Sequence, residues 1–213
     1  MKQVAGVWLP DADQHFTRIA NGGTYNSGHY YAARVYVKDF GLALDVGAHV
    51  GYWSRLMAED FKVVFAFEPE AENFKCLLKN VPKNVRVMPY AFSDWVGGGR
   101  LSNPKPTNTG AWELEKVEER LKGAWPTTVW MLDSIAEYLE NYGPVGLIKI
   151  DVQGGELNVL RGARKLLEKH KPVVVVEDTE AGITAFLSDL GASKVDKKAK
   201  DAIFAWKENM RAG

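Results

Sequence analysis

Apolar residues recur along this chain in short runs, separated by stretches in which they repeat every third or fourth position. The run "LALDV" (42–46) is apolar except for Asp45, as expected of a strand covered on both faces. Val50, Trp53, Leu56 and Met57 follow at helical spacing. "KVVFAFE" (62–68) predicts a second strand, and Pro69 suits the first turn of a helix whose apolar face is Phe74, Leu77 and Leu78. "VRVMPYAFS" (85–93) predicts a third strand, with Pro89 tolerated only at an irregular or edge position. "TTVWML" (127–132) predicts an extended segment, and Asp133 is placed to cap a helix over 134–141. "GLIKIDV" (146–152) predicts a buried strand, and Leu157, Leu160, Ala163 and Leu167 mark the helix after it. "KPVVVVED" (171–178) is the most strand-like run and is followed by a helix across 180–190. "ASKVD" (192–196) and "DAIFAWK" (201–207) lie close enough to form a hairpin.

Alternating strands and helices with apolar strands predict an α/β three-layer sandwich. The terminal strand pair implies one antiparallel strand near the C-terminus of a mostly parallel, seven-stranded, Rossmann-like sheet. That is the ending expected of a class I methyltransferase core. The core is assigned to residues 41–213. Residues 1–40 are read as an N-terminal extension packing on it, mainly helical, with Tyr31, Val35 and Lys38 on one face of a helix over 30–40. An insertion over 100–126 breaks the rhythm. Its first part, "LSNPKPTNTG", is loop by composition. Its second part carries Leu114, Val117 and Leu121 at helical spacing, with Glu118 and Lys122 able to pair, so a helix over 112–123 is expected. A long excursion of this kind suits a substrate-side role.

Length and composition narrow the class without naming it. The chain has 213 residues, 46% hydrophobic and 25% charged, and a formal net charge of zero. No global charge bias favours nucleic acid or an anionic membrane, so neither is expected as a partner. The single cysteine, Cys76, excludes an intramolecular disulfide, and no Cys/His cluster suggests structural zinc. No run approaches the roughly 18 apolar residues of a membrane span. A cytoplasmic location is expected.

The candidate chemistry gathers at the ends of the predicted strands, where open α/β sheets bind ligands. Gly47, Ala48 and Gly51 form a tight turn after the first strand, and Glu68 ends the second, 21 residues after Gly47. An acidic side chain there can accept both hydroxyls of a ribose. Asp45 argues against a pyrophosphate at the turn and suits an ammonium or sulfonium group. The other reading of Asp45 is a strand-end carboxylate bonded to the turn itself. S-adenosylmethionine carries both cations and no phosphate. "AFSD" places Phe92, Ser93 and Asp94 on the adenine side. Asp151 ends a buried strand and Glu156 opens the next helix, positions suited to orienting or deprotonating a hydroxyl. Trp53 and the loop Asn108, Thr109, Gly110 are candidates for the substrate wall. Glu177 and Asp178, with Asp151, form an all-oxygen set able to hold Mg²⁺. A solvated strand end is the reading taken, and no metal ligand is assigned.

"LDVGAHVGYWS", "FAFEP", "AFSD" and "IKIDVQGGELNVLRGA" together resemble the FkbM family of S-adenosylmethionine-dependent methyltransferases, from about Phe40 to about Trp206. The resemblance implies a class I fold and O-methylation, often of sugar or polyketide hydroxyls. It implies Gly47, Ala48, Gly51, Glu68 and the adjoining Pro69 around the cofactor, Ser93 and Asp94 near the adenine, and Asp151 and Glu156 on the catalytic side. Two positions depart from the family pattern: His49 stands where Asn is usual, and Gln153 where Glu is usual. Gln cannot take a proton at neutral pH, so if that glutamate acts as a base, this chain uses His49, Asp151 or Glu156 instead. The other reading of His49 is a helix-start residue that hydrogen-bonds the cofactor or backbone, and Asp151 too is placed at the cofactor. The acceptor is expected to be a small molecule or glycan. Two rivals remain, a nicotinamide-dependent oxidoreductase and a methyltransferase-like binding module.

Overall fold

The computed structural model describes residues 1–22, 27–117, 126–177, 182–198 and 200–210. In chain order the elements are β1 (Lys2–Val4), β2 (Val7–Leu9), α1 (His15–Gly22), α2 (Ser27–Arg34), β3 (Leu42–Val46), α3 (Tyr52–Asp60), β4 (Val63–Phe67), α4 (Ala71–Asn80), β5 (Val85–Met88), β6 (Tyr90–Phe92), β7 (Gly97–Ser102), β8 (Glu113–Lys116), β9 (Pro126–Trp130), α5 (Ala136–Glu140), β10 (Val145–Ile150), α6 (Glu156–Arg161), α7 (Arg164–His170), β11 (Val173–Glu177), α8 (Ile183–Asp189), β12 (Ala192–Lys198) and β13 (Asp201–Trp206).

Seven strands form the central sheet in the order β12-β13-β11-β10-β3-β4-β5. β13 runs antiparallel to both neighbours, and the other pairings are parallel. Its strands are apolar on both faces because both are covered. Leu44, Val46, Phe65, Phe67, Ile148 and Val174 pack under α6, α7 and α8. Ala43, Val64, Ala66, Leu147 and Val175 pack under α2, α3 and α4. This is the class I methyltransferase sandwich, with the single reversed strand at the expected end. No helix among the described residues is long and apolar enough to cross a membrane.

Four local expectations change. The run 85–93 divides at Pro89: β5 stays in the central sheet, while β6 leaves it to pair with β9 in a second sheet ordered β6-β9-β7-β8. Proline has no N–H to continue the ladder. The helix expected over 112–123 is instead strand β8 as far as Lys116, paired antiparallel with β7. From Glu118 on, the segment, including Leu121 and Lys122, lies outside the described residues. Asp133 does not cap the helix that follows it. Its carboxylate accepts from Lys165 N (3.0 Å) and Leu166 N (2.9 Å), at the start of α7. The first 40 residues hold a β1–β2 hairpin as well as two helices, and α2 ends at Arg34, short of the expected 40.

Candidate active site

The turn after β3 is held from below. Gly47 N and Ala48 N donate to Phe67 O (3.0 and 2.9 Å), Gly51 N donates to Ala48 O (2.9 Å), and His49 N donates to Glu68 Oε2 (2.8 Å). Four turn amides are thus spent inside the chain, so the turn does not offer the row of amides that a pyrophosphate needs. The glycines are required by close packing. A Cβ on Gly47, at φ 79°, would lie 1.9 Å from the Asp151 carbonyl oxygen. On Gly51, at φ 94°, it would lie 2.7 Å from Leu77 Cδ1. Gly51 therefore packs the turn onto α4 and stands outside the cavity.

Above the turn opens a cavity of about 400 Å³, within the usual range for small-ligand sites. Gly47, Ala48, His49, Glu68, Pro69, Phe92 and Asp151 line it. Trp53 and the loop Asn108, Thr109, Gly110 line it too. Asp45, Gly51, Ser93, Asp94 and Glu156 do not. Asp45, Gly51, Ser93 and Glu156 are buried in their own neighbourhoods, whereas Asp94 is exposed. The Asp94 side chain meets Ser93 Oγ at 3.4 Å, and the Ser93 carbonyl packs against Gly162, where a Cβ would lie 2.0 Å away. Glu156, fully buried, accepts from Val152 N and Gly154 N, both at 3.0 Å, and so clamps the loop after β10.

Asp45 is fully buried and accepts from Ser54 Oγ at 2.5 Å. The cation opposite it belongs to the chain. Lys149, on β10 and in register with Asp45, lies 3.6 Å from Asp45 Oδ1 and 3.3 Å from Asp151 Oδ2, and donates to Gly47 O at 3.1 Å. Within the chain Asp45 is thus paired with Lys149 and Ser54. Burial pushes the Asp151 carboxyl up, but the Lys149 ammonium and the Gln153 Nε2 bond (2.8 Å) outweigh it and hold the group below the usual range. Gln153 supplies a donor to a carboxylate that a Glu there would repel.

Glu68, 5% exposed, ends β4 with each oxygen bonded: Oε2 to His49 N, and Oε1 to Glu70 N (2.9 Å) and Asn73 Nδ2 (3.4 Å). Burial pushes its carboxyl up to about 7. His49 is locked. Its ring packs against Phe16 with centroids 4.3 Å apart and the planes tilted by 41°, and Nε2 meets Thr109 Oγ1 at 2.9 Å. Thr109 Oγ1 lies 2.8 Å from Asp13 Oδ2, which can only accept. The hydroxyl proton goes to Asp13, so Nε2 must donate. Burial pushes the imidazole down to about 4, which makes it a poor proton acceptor near neutrality. Three residues of the lining, His49 (Nδ1), Asn73 (Oδ1) and Trp112 (Nε1), carry a buried polar atom with no partner among the described residues. Such atoms are left to pair with water or with a polar ligand.

Asp151, Glu156 and Glu177 bring ligand oxygens within 4.8 Å of one another. Lys149 and the loop amides hold the first two, and Lys200 Nζ pairs with Glu177 at 3.0 Å. Asp178 lies outside the described residues. Lys149, Asn73, Trp112, Asp13 and His29 are site residues that sequence reasoning missed. Only Lys149 left a trace, as the one charge inside an apolar strand.

The Methyltransferase FkbM domain matches residues 45–192. Among solved structures, the chain resembles a methyltransferase FkbM from Methylobacillus flagellatus KT, with TM-score 0.51 and 16% identity over 78% of this chain and 43% of that one. It also resembles a Streptococcus pneumoniae protein provisionally described as a tRNA methyltransferase, with TM-score 0.51 and 16% identity over 88% and 72% of the two chains. A third is a ribosomal-protein methylase from Lactobacillus delbrueckii subsp. bulgaricus, with TM-score 0.50 and 11% identity over 84% and 76%. No curated protein matches the chain in sequence. The chain spans less than half the length of the Methylobacillus protein. The sheet order, the turn after β3 and a match over 45–192 lead to one conclusion: the chain belongs to the FkbM methyltransferase family.

Proposed function

We propose that the protein transfers a methyl group from S-adenosylmethionine to a hydroxyl of a sugar, glycan or other small molecule. The observation that carries this reading is Glu68. It is a buried acid at the end of β4, on the cavity wall, whose Oε2 keeps a lone pair for a ribose hydroxyl and whose Oε1 holds Asn73 only by a long 3.4 Å contact that a second hydroxyl can replace. The spent turn amides speak against a dinucleotide. Glu68 would hold the ribose, with Gly47, Ala48 and Pro69 beside it. Phe92 would contact the adenine, with Ser93 and Asp94 in the turn that follows it.

When bound, the cofactor supplies an electrophilic methyl on a sulfonium and a neutral thioether leaving group. The chain's work is placement. Asp151, ionised and held by Lys149 and Gln153, accepts a hydrogen bond from a hydroxyl of the acceptor beside the reacting one and so turns the reacting oxygen's lone pair toward the methyl. The nearby carboxylates Glu177 and Asp201, also on the cavity wall, suit a polyhydroxyl acceptor and oppose a phosphodiester. Because lysines partner Asp151 and Glu177, transfer is proposed to be independent of metal. Activity should survive exhaustive EDTA, and restoration by added Mg²⁺ alone would reverse that.

Calorimetry with S-adenosylhomocysteine tests the cofactor, and no binding by folded protein would overturn it. Methyl transfer to nucleotide sugars, methyl glycosides and an RNA oligonucleotide tests the acceptor. Labelling of RNA alone would replace the glycan reading.

A further inference from the structure

Three bases were open from the sequence, and the structure constrains each of them. Nε2 of His49 is spent as a donor to Thr109, and its Nδ1 is buried. Glu156 has both oxygens on loop amides. Asp151 is ion-paired with Lys149, which suits orientation better than proton uptake. A fourth group stands on the same cavity wall. His29, on α2, lines the cavity, and its Nδ1 lies 2.8 Å from Asp201 Oδ2 at the start of β13. Its side chain is 17% exposed, and that of Asp201 22%.

The pairing fixes the proton. An ionised carboxylate only accepts, so Nδ1 carries the hydrogen. In the neutral ring Nε2 is then the proton-free nitrogen, and no described residue hydrogen-bonds to it. The dyad's position follows from strand register. Asp201 is paired directly with Glu177 across β13 and β11, and the Glu177 carboxylate lies within 4.8 Å of that of Asp151. Because β13 is reversed, its first residue reaches the same sheet edge as the last residues of β10 and β11. A base oriented by a third group is the arrangement that proton abstraction from a hydroxyl uses.

We propose that His29 is the catalytic base of this methyltransferase, with Asp201 as its positioning residue. The inference rests on the methyl-transfer reading above. As the acceptor oxygen bonds to the methyl carbon, the C–S bond breaks and its electron pair stays on sulfur. The O–H electron pair stays on oxygen, and the proton passes to His29 Nε2. The Asp201 carboxylate offsets the new imidazolium charge until the proton leaves to solvent. Of the charged groups around the dyad, Glu177 and Asp151 favour that charge and Lys200, itself paired with Glu177, opposes it.

Nitrogen-15 NMR of histidine-labelled protein reads the dyad without any turnover. Expected in the wild type is a protonated Nδ1 and a proton-free Nε2 on the neutral His29 ring, a tautomer preference that weakens in Asp201→Asn. A proton-free Nδ1, or a tautomer balance unmoved by Asp201→Asn, overturns the proposal. With an acceptor sugar from the panel above, His29→Gln should lower kcat by about 10²–10⁴-fold. Binding of S-adenosylhomocysteine should change less than about threefold. Asp201→Asn should lower kcat by a smaller factor and move the acid limb of the pH–rate profile. Equal kcat in wild type and His29→Gln overturns the base assignment. Loss of homocysteine-cofactor binding in the wild type instead sinks the methyl-transfer reading and leaves the NMR result to stand by itself.

Discussion

Lys149 does at the residue scale what a bound cation was expected to do. It is 6% exposed and holds Asp45, Asp151 and the Gly47 carbonyl together. Removing one member of a buried charge set leaves the other uncompensated, at a cost of about 3–5 kcal/mol. Lys149→Met should therefore lower stability by that amount in urea unfolding. Asp45→Asn in the same chain should recover part of it; no recovery would mean that the two charges are not coupled. Glu68 carries a second residue-scale prediction. Its ligand-free carboxyl sits near 7, above its ordinary value of 4.5, and ribose hydroxyls need the ionised form. Affinity for S-adenosylhomocysteine should be flat above pH 7 and weaken toward tenfold per unit below it. Calorimetry from pH 5.5 to 8.5 reads this, and Glu68→Gln should flatten the profile. His49 shows why the family's Asn can become His here. Position 49 has φ 51°, left-handed backbone that Asn, Asp and His tolerate better than most residues.

At the scale of elements, the anchoring of α2 matters because it carries His29. Arg34 meets Asp60 on α3 with two bonds (2.5 and 2.6 Å), and Tyr30, fully buried, donates to the same carboxylate at 2.6 Å. Tyr30→Phe removes one bond and leaves Asp60 paired, so it should cost about 1 kcal/mol. Asp60→Ala strands the buried Tyr30 hydroxyl and should cost more, about 2–3 kcal/mol; denaturant midpoints rank the two. The same scale shows what was legible in sequence. β3, β4, β10 and β11 were readable because burial on both faces makes each a continuous apolar run. β8 was not: Leu114 and Val117 fit a helical spacing, while "ELEK" fits a strand equally well, and only pairing with β7 decides. Lys149 looked like an interruption because register, not spacing, brings it to Asp45. Asp13, Thr109 and His49 meet across separations that leave no local pattern, and so do His29 and Asp201.

Considered whole, the molecule builds its cavity from separate stretches of chain. Residues 13–16 and 107–110 close over the turn after β3: Gln14 N donates to Thr107 O at 2.9 Å, and Thr109 N to Asp13 Oδ2 at 3.2 Å. Cys76 reports on this closure. It is fully buried in a cluster with Val7, Leu9, Phe16 and Val50, and burial pushes its thiol up to about 11. Such a thiol is inert while covered. Labelling with a disulfide reagent should follow global unfolding in denaturant; labelling well ahead of it would show that the first 16 residues open independently.

β3 lies between β4 and β10. β4 follows it in the chain after a single helix, whereas β10 begins about 100 residues later. At a ribosome adding roughly 5–20 residues per second, the inner edge of β3 waits on the order of 5–20 s for its partner. During synthesis the centre of the finished sheet is therefore its most exposed margin. Until Val145–Ile150 emerge, that margin can pair with another nascent chain, and the turn after it has neither Lys149 nor the Asp151 carbonyl to pack against.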